Sequence, residues 1–488
     1  MRAPAASGHF EKQRRCRSLT VNSICLSTPV RKPPEMSLVS VNPATGRRLA
    51  IFREHNGGAI ERALARAAAA QRFWRTTSPV TRAEHLRAVA RELFAQRDSL
   101  AALATAEMGK PIAQARGEVE KCARTCEYFA DHGPALLADE RPVGAPPEAR
   151  IVYEPIGVVL AIMPWNFPFW QVIRAAVPAL IGGNTLLLKH APNVAGCAIA
   201  IENVFKRAGF PRGVFQALLT GTQPIPALIA DGRVRAVTFT GSTAAGKKVA
   251  ALAGAAMKPG VYELGGSDPY LVLADADLEL AAETCAAARL INSGQSCASA
   301  KRFIVARPVL SDFERLVTAR LDARRTGDPA DPTNDIGPLA RADLRENLHR
   351  QISASVRRGA RLLLGGAPLP GPGFFYKTTL LANVRPGMPA ADEELFGPAA
   401  SILAVRDDAG AVRVANATPY GLGAAIFTRS ARRARELAPQ LDAGFVAINT
   451  FVRSDASLPF GGVKDSGMGR ELGPHGLRAF LNVKTIVG

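Results

Sequence analysis

The sequence predicts an α/β protein with two α/β domains in tandem, and three observations support that prediction. The chain has 488 residues, which is more than one hydrophobic core usually holds. From Ile151 onward, short apolar runs of strand length alternate with longer amphipathic stretches, the order expected of a parallel sheet covered by helices. Gly265-Gly266 interrupts this alternation, and a second series runs from Tyr270 to about Asn449.

The first 35 residues differ from the rest of the chain. They are rich in Arg and Ser and lack a continuous apolar segment, which excludes a secretory signal. An organelle transit peptide is one interpretation. A start at Met36 is the other, and we favour it because Met36 directly precedes the first recognisable structural segment. Under either interpretation we expect residues 1–35 to be poorly ordered.

The helices and strands are expected in the following order. Helical patterns cover residues 57–75 and 79–132, with Pro79 at a helix start and Gly133-Pro134 at a helix end. In the first alternating series, strands are expected at 151–153, 158–162, 184–189, 215–219 and 236–240, and helices at 170–180 and 194–208. Later strands are expected at 302–305, 400–405, 445–448 and 480–487. The last of these would leave an open edge unless another subunit covers it.

Composition excludes several classes of function. The formal charge is +19, but the basic residues are spread along the chain without a nucleic-acid motif, so we expect no nucleic-acid partner. No apolar run is long enough to cross a bilayer. Seven scattered cysteines favour a reducing cytoplasm over a disulfide framework. We expect no metal site, because Cys122 and Cys126 lack further ligands nearby and are interpreted as core thiols.

Three segments indicate chemistry: PWNFP at 164–168, ELGG at 263–266 and GQSCA at 294–298. Oxidation of an aldehyde by hydride transfer first requires a tetrahedral adduct, and a thiolate is the best side-chain nucleophile for forming it. Cys297 lies between small residues on a glycine-containing turn. This setting suits an exposed thiol near a helix start, where its pKa would be lowered.

The other two segments supply the remaining groups. The Asn166 side-chain amide and the Cys297 backbone N–H would stabilise the oxyanion, and removing one such donor costs roughly 3 kcal/mol. Glu263 would act as the general base that hydrolyses the thioester, and the glycines after it would leave room for its carboxylate to move. Taken singly, each residue has a structural interpretation: a buried thiol, a turn carboxylate and a turn amide.

Order and spacing favour the functional interpretation. Asn166 and Glu263 are 97 positions apart, and Glu263 and Cys297 are 34 apart. Further motifs follow in order: FTGS at 239–242, ELFGP at 394–398 and PFGG at 459–462, the last continuing through Lys464, Ser466, Gly467, Gly469, Arg470 and Glu471. From about Met36 onward the chain resembles the aldehyde dehydrogenase superfamily, and most closely its bacterial succinate-semialdehyde dehydrogenase branch.

The resemblance implies a domain organisation. Residues 36–140 and 156–264 would form a Rossmann-like NAD(P)-binding domain, and residues 265–460 would form the catalytic domain. Residues 141–155 and 476–488 would form a small β oligomerisation element. The assembly would be a homodimer or a homotetramer, and the sequence does not choose between them.

The resemblance also implies a cofactor, NAD or NADP, although no G-x-G-x-x-G follows the first strands. The residues implied in cofactor binding are Trp165, Lys189, Gly241, Ser242, Gly246, Glu394 and Phe396. Gly241, Ser242 and Gly246 would open a helix whose N-terminus faces the pyrophosphate. Pro192 stands where many NAD-selective relatives have a Glu. We therefore expect NADP to be tolerated, and the preferred cofactor stays open.

The substrate prediction rests on four residues. Trp170 and Arg174 follow Asn166 at four-residue steps, so on a helix they share its face. In the resembled branch these positions, together with those of Ser296 and Ser454, bind the substrate carboxylate, to which Arg174 would donate charge-assisted hydrogen bonds. The structural alternative makes Arg174 a solvated helix residue and Trp170 a packing residue.

The predicted reaction is oxidation of succinate semialdehyde to succinate through a Cys297 thiohemiacetal and thioester. Another semialdehyde, or an aliphatic or aromatic aldehyde, is the alternative substrate. A CoA-acylating dehydrogenase is disfavoured because such enzymes usually lack the base at Glu263. A non-catalytic protein on this fold is disfavoured by the intact Cys297, Glu263 and Asn166. A Cys-His hydrolase is disfavoured because none of the seven histidines has a nucleophile-partner pattern.

Overall fold

The computed structural model describes residues 37–488, so the expectations for residues 1–35 lie outside the described part of the chain. Its first half contains the strands β1 (Ser37–Val41), β2 (Arg48–Arg53), β3 (Arg150–Pro155), β4 (Val158–Ile162), β5 (Thr185–Lys189), β6 (Phe215–Ala217), β7 (Val234–Thr240) and β8 (Gly260–Glu263). The helices of this half are α1 (Gly57–Trp74), α2 (Pro79–Ala95), α3 (Arg97–Met108), α4 (Ile112–Leu136), α5 (Trp170–Ile181), α6 (Ala195–Arg207), α7 (Ile225–Ala230) and α8 (Thr243–Ala255).

The second half repeats the alternation. Its strands are β9 (Pro269–Val272), β10 (Arg302–Ala306), β11 (Arg361–Leu364), β12 (Thr379–Ala382), β13 (Ala399–Val405), β14 (Gly423–Phe427), β15 (Phe445–Ile448), β16 (Gly467–Met468) and β17 (Leu481–Ile486). Its helices are α9 (Leu278–Leu290), α10 (Leu310–Asp322), α11 (Ala342–Arg357), α12 (Pro389–Asp392), α13 (Asp408–Asn416), α14 (Ala431–Leu437) and α15 (Gly473–Arg478).

The first large sheet has the strand order β16-β8-β7-β4-β5-β6. Its strands are parallel except for β16, which pairs antiparallel with β8. Every residue of β4 and β5 is buried, as expected of parallel strands covered on both faces. The chain builds outward from β4 through β5 to β6 and then returns to the other side of β4 as β7. The carboxyl ends of β4 and β7 therefore flank a topological switch point, where such sheets bind ligands.

The second large sheet has the order β11-β12-β13-β10-β9-β14-β15. Only β11 pairs antiparallel, with β12; the other neighbours are parallel. The prediction of an α/β fold with two parallel sheets is confirmed. The predicted domain boundaries stay predictions.

The carboxyl-terminal strand pairs within its own chain. β17 lies antiparallel to β3, with Leu481 opposite Pro155 and Ile486 opposite Arg150. The two segments assigned to an oligomerisation element thus form one small sheet, and one edge of β17 is covered without another subunit. A second two-stranded sheet, β1 with β2, was not foreseen.

Helix α2 begins as predicted, because Pro79 is its first residue and the Ser78 side chain accepts a hydrogen bond from the Thr81 N–H at 3.0 Å. The expected stop at Gly133-Pro134 is wrong, since α4 continues to Leu136. Gly133 instead allows close packing: a Cβ there would lie 2.8 Å from Ile181 Cγ1. Pro134 falls in the last turn, where the helix is about to end. Within residues 37–488, no helix is long and apolar enough to cross a membrane.

Candidate active site

The segments that contain Asn166 and Cys297 are in direct contact. Asn166 follows β4 at the switch point, and its side-chain amide donates to the Gln295 carbonyl at 3.0 Å. Asn292 donates to the Asn166 carbonyl at 2.6 Å and to the Gln295 carbonyl at 3.0 Å. Buried amides therefore fix the loop that carries Cys297 to the end of β4.

Glycines allow the remaining segments to reach this loop. A Cβ on Gly266 would lie 2.1 Å from the Cys297 carbonyl oxygen, so only glycine permits the approach. Gly294 has φ of +75°, and a Cβ there would lie 2.1 Å from the Gly397 carbonyl oxygen. Gly266, one of the glycines after Glu263, therefore accommodates the Cys297 backbone, and the expectation that these glycines leave room for carboxylate movement stays a prediction.

Arg289 of α9 joins the same segments, and the sequence analysis missed it. Its guanidinium is 1% exposed. It donates to the carbonyls of Gly294 at 2.5 Å, Ala300 at 3.3 Å, Leu395 at 3.1 Å and Gly397 at 2.9 Å. Nothing in the local sequence distinguishes this Arg from those on solvated helices, because its partners are distant backbone carbonyls.

Cys297 opens into a cavity of about 580 Å³, named here the Cys297 cavity. The four predicted substrate residues, Trp170, Arg174, Ser296 and Ser454, line the same cavity. Phe167, Phe451 and Phe460 contribute apolar walls. The structure therefore brings the predicted nucleophile and the predicted substrate residues together.

The Cys297 thiol is less acidic than the sequence suggested. Burial raises its pKa to about 12, while the positive charge of Arg174 opposes that shift. No helix begins at Cys297, because residues 295–300 are non-helical. The expectation of a helix start and a lowered pKa is wrong: this loop lacks the helix N-terminus that would stabilise a thiolate.

Glu263, at the end of β8, is fully buried, and neither carboxylate oxygen has a hydrogen-bond partner among residues 37–488. Burial raises its pKa to about 8, and the charge of Arg174 partly opposes this. A Cβ on Gly461 would lie 2.7 Å from Glu263 Oε1, so the carboxylate occupies a tight site. A carboxylate with a pKa near neutrality suits proton transfer.

Arg174 is buried rather than solvated, with 3% of its side chain exposed. Its Nε forms an ion pair with Glu471, and its Nη2 donates to Thr240 Oγ1 at 3.4 Å. Its guanidinium lies over the Phe460 ring at 5.3 Å. The charge of Arg174 is therefore already balanced by a buried carboxylate. Glu471 belongs to the motif that continues from PFGG, but nothing in that motif indicates this pairing.

Helix α5, which carries Trp170 and Arg174, is fixed at its first turn by another residue that the sequence analysis missed. Glu118 of α4 accepts hydrogen bonds from the N–H groups of Phe169 at 2.8 Å and Trp170 at 2.9 Å. A carboxylate at a helix N-terminus is electrostatically favourable. Glu118 also forms a buried ion pair with Lys110.

The switch-point crevice fits a dinucleotide. Gly241 and Ser242 follow β7, and Ser242 Oγ accepts from the Ala245 N–H at 3.4 Å at the start of the 13-residue helix α8. The free N–H groups of such a helix bind phosphate. Lys189 ends β5, which lies on the other side of β4 from β7. Gly246 has a packing role, because a Cβ there would lie 2.2 Å from Leu264 Cδ2.

Three of the residues predicted for cofactor binding, Trp165, Glu394 and Phe396, lie near the Cys297 loop. Glu394 Oε1 accepts from the Gly266 N–H at 2.9 Å, and burial raises the pKa of Glu394 to about 7. The Phe396 ring meets the Trp165 ring edge to face, with 5.7 Å between centroids. Trp165, Glu394 and Phe396 thus surround the junction between the crevice and the catalytic loop.

A carboxylate also lies near Lys189, which the sequence did not indicate. Glu54 follows β2, and its Oε2 accepts from the Gly221 N–H at 2.9 Å. Its charge acts on Lys189, whose pKa is nonetheless lowered by burial. The crevice therefore carries one acidic group at the Lys189 end.

The comparisons with known proteins agree with this geometry. The family model described as the aldehyde dehydrogenase family matches residues 31–486. The chain is 49% identical to the succinate semialdehyde dehydrogenase [NAD(P)+] Sad of Escherichia coli K12, over 93% of this chain and 98% of that protein. It is 44% identical to succinate-semialdehyde dehydrogenase [NADP(+)] 1 of Mycobacterium tuberculosis H37Rv, over 92% and 99%. It superimposes on Streptococcus pyogenes succinic semialdehyde dehydrogenase in complex with NADP+ with a TM-score of 0.90 at 34% identity, covering 92% and 99%.

The raised pKa of Cys297 predicts slow alkylation in the free protein. Because the thiolate is the reactive form, the rate with iodoacetamide should climb steadily between about pH 7 and about pH 10 without levelling off. Mass spectrometry of the Cys297 peptide measures this rate, and Cys297→Ser provides the blank. A plateau near neutral pH would contradict the raised pKa.

Gly266→Ala is predicted to destabilise the protein by about 1–3 kcal/mol, because its Cβ overlaps the Cys297 carbonyl. Urea unfolding measures the change. Gly254→Ala in α8 is the matched control, since a Cβ there meets nothing within 4 Å. Equal stability of the two variants would show that Gly266 is not required for the close approach.

Proposed function

The chain belongs to the aldehyde dehydrogenase family, and we propose that it oxidises succinate semialdehyde to succinate with NAD or NADP. The single observation that supports this substrate most strongly is the composition of the Cys297 cavity. It combines the thiol with apolar walls and with hydroxyl and cationic side chains that suit a carboxylate. The names of the two curated relatives support the same substrate.

In the proposed reaction, Cys297 Sγ attacks the aldehyde carbon and forms a thiohemiacetal. One hydrogen of the Asn166 amide is used by the Gln295 carbonyl, and the second can donate to the oxyanion. The Cys297 backbone N–H is the other proposed donor. Because the thiol pKa is about 12, the thiol loses its proton as the carbon–sulfur bond forms, and solvent in the Cys297 cavity can take up that proton.

When bound, NAD(P) accepts the hydride of the adduct. Gly241, Ser242 and the start of α8 would hold its pyrophosphate, and Lys189 its adenosine ribose. Glu394 and Phe396 would position the nicotinamide end beside Cys297. The crevice has no carboxylate at Pro192, but Glu54 lies near Lys189. The choice between the two cofactors therefore depends on the balance between the negative charge of Glu54 and the positive charge of Lys189.

Oxidation of the adduct leaves a thioester on Cys297, and Glu263 would activate the water that hydrolyses it. With a pKa of about 8, its carboxylate is partly ionised near neutral pH and can take a proton from water. Because Glu263 can activate water, the acyl group is transferred to water rather than to CoA, and the product is the free acid.

The aldehyde's carboxylate would bind at the polar side of the Cys297 cavity. Ser454 and Ser296 can donate hydrogen bonds, and Arg174 adds positive charge. The aromatic walls at Phe167, Phe451 and Phe460 suit the two methylene groups between the aldehyde and the carboxylate. The Trp170 ring adds to the apolar wall formed by these aromatic residues.

We also propose that the protein works in the cytoplasm as a homodimer or homotetramer. The five described cysteines are free thiols, as in a reducing compartment. Val483 in β17 and Val487 just after it are exposed, and these apolar side chains lie beside a strand edge that another subunit could cover.

The substrate is tested by following absorbance at 340 nm with succinate semialdehyde, glutarate semialdehyde, butanal and benzaldehyde, each with NAD and with NADP. The proposal predicts a higher kcat/KM for the two semialdehydes than for butanal and benzaldehyde, because only a carboxylate can use the polar side of the cavity. Succinate semialdehyde should have the highest value, because its two methylene groups suit the apolar walls. A preference for uncharged aldehydes would retain the Cys297 chemistry and overturn the substrate.

Glu263→Gln is predicted to give a rapid burst of NAD(P)H followed by turnover slowed by a factor of about 100 to 10,000, since the thioester forms but is not hydrolysed. Wild-type kcat should rise with pH until about pH 8, because the raised pKa keeps Glu263 protonated below that value. The variant should lose this rise. Glu346→Gln on the surface of α11 is the control, and absence of the burst would place Glu263 before the thioester.

A further inference from the structure

Lys121 of α4 lines the Cys297 cavity, although no motif indicates it. Its Nζ donates to Ser454 at two atoms, the carbonyl oxygen at 2.7 Å and Oγ at 2.8 Å. The same ammonium lies 4.1 Å from the centre of the Trp170 ring. Lys121 therefore joins two of the residues that the sequence analysis assigned to the substrate carboxylate.

The hydrogen bond to Ser454 has a directional consequence. Because Ser454 Oγ accepts from Lys121, its own hydrogen is left to donate elsewhere. A carboxylate entering the cavity could then receive one hydrogen bond from the Ser454 hydroxyl and one from the remaining Lys121 N–H. Charge-assisted bonds of this kind are stronger than neutral ones.

Two of the three cations that line the cavity, Lys121 and Arg174, differ in their partners. Arg174 is paired with the buried Glu471. Among residues 37–488, Lys121 has no carboxylate within ion-pair distance. Glu118 and Asp455 act on it only at longer range, and Glu118 is itself paired with Lys110. Within the cavity lining, Lys121 is thus a half-buried positive charge without a matching negative one.

Lys121 also lies at the boundary between the Cys297 cavity and a second cavity. It lines a neighbouring open cavity of about 500 Å³, together with Arg124 and Arg453. Lys121, Ser454 and Arg453 line both cavities. An anionic substrate that approached along this basic surface would meet Lys121 where the two cavities adjoin.

We propose that Lys121, acting with the Ser454 hydroxyl, binds the distal carboxylate of the substrate and determines the preference for carboxylated aldehydes. This inference rests on the proposed function and adds a residue to its carboxylate site. Arg174, which is paired with Glu471, contributes positive charge to that site and to the buried groups Glu263 and Cys297. Burial lowers the pKa of Lys121 to about 8, so its ammonium stays mostly charged near neutral pH, and a bound carboxylate would favour the charged form further.

The test compares Lys121→Met with wild type on succinate semialdehyde and on butanal, an uncharged aldehyde with the same number of carbons. The inference predicts a rise in KM for succinate semialdehyde of roughly 10- to 100-fold, the loss expected for one charged hydrogen bond. KM for butanal should stay the same, and kcat should change little for either substrate. Lys121→Arg should recover most of the affinity, because it restores the charge.

Arg124→Met is the matched control. Arg124 lies on the same helix, is 73% exposed and lines only the neighbouring cavity. Its loss removes the same charge and should change KM by no more than roughly two-fold. Lys121→Gln, which can still donate to Ser454, is measured in parallel in case Lys121→Met folds poorly. It should also raise KM for succinate semialdehyde alone.

The outcomes separate this inference from the proposed function. If wild type prefers butanal, the proposed substrate is wrong. If wild type prefers succinate semialdehyde but the Lys121 variants change KM for both aldehydes equally, or for neither, the substrate stands and the role of Lys121 is overturned. Failure of Lys121→Arg to recover affinity, with equal losses on both aldehydes, would assign Lys121 a structural role only.

Discussion

The site depends on the close approach of backbone segments around the Cys297 loop. Gly266 packs against the Cys297 carbonyl, and Gly294 packs against the Gly397 carbonyl. Arg289 then joins the carbonyls on both sides of the contact. Three segments distant in sequence are held without room for a side chain, and the buried guanidinium of Arg289 donates hydrogen bonds to their carbonyls. The position of the thiol follows from these contacts.

Burial also sets the chemistry of the titratable groups. Glu263 and Glu471 share the charge of Arg174 in a space withdrawn from water. Desolvation favours the neutral form of a carboxyl and of a thiol, so the pKa values of Glu263 and Cys297 both rise. The free site is thereby held with Cys297 protonated and Glu263 partly protonated.

The sequence predicted the α/β alternation well, because fully buried strands such as β4 and β5 appear as continuous apolar runs. It also predicted that Trp170, Arg174, Ser296 and Ser454 lie in one site with Cys297, and all five line the Cys297 cavity. It missed Arg289, Glu118 and Lys121, since their partners are backbone groups or side chains that only the tertiary fold brings near. It misjudged the thiol pKa for a related reason: burial of a loop cannot be inferred from its small residues. The helix end expected at Gly133-Pro134 is wrong, since α4 continues to Leu136. Gly133 packs against Ile181 within the helix, and the local sequence does not reveal that tertiary contact.

In the proposed mechanism, Cys297 carries the substrate as a thioester, and water activated by Glu263 hydrolyses that thioester. Glu263→Gln incubated with succinate semialdehyde and NAD(P), then quenched in acid and analysed by mass spectrometry, tests it directly. The account predicts a succinyl group on the Cys297 peptide, absent when the cofactor is omitted and absent in Cys297→Ser. An unmodified Cys297 under conditions in which NAD(P)H has formed, or a succinyl group on another residue, would contradict it.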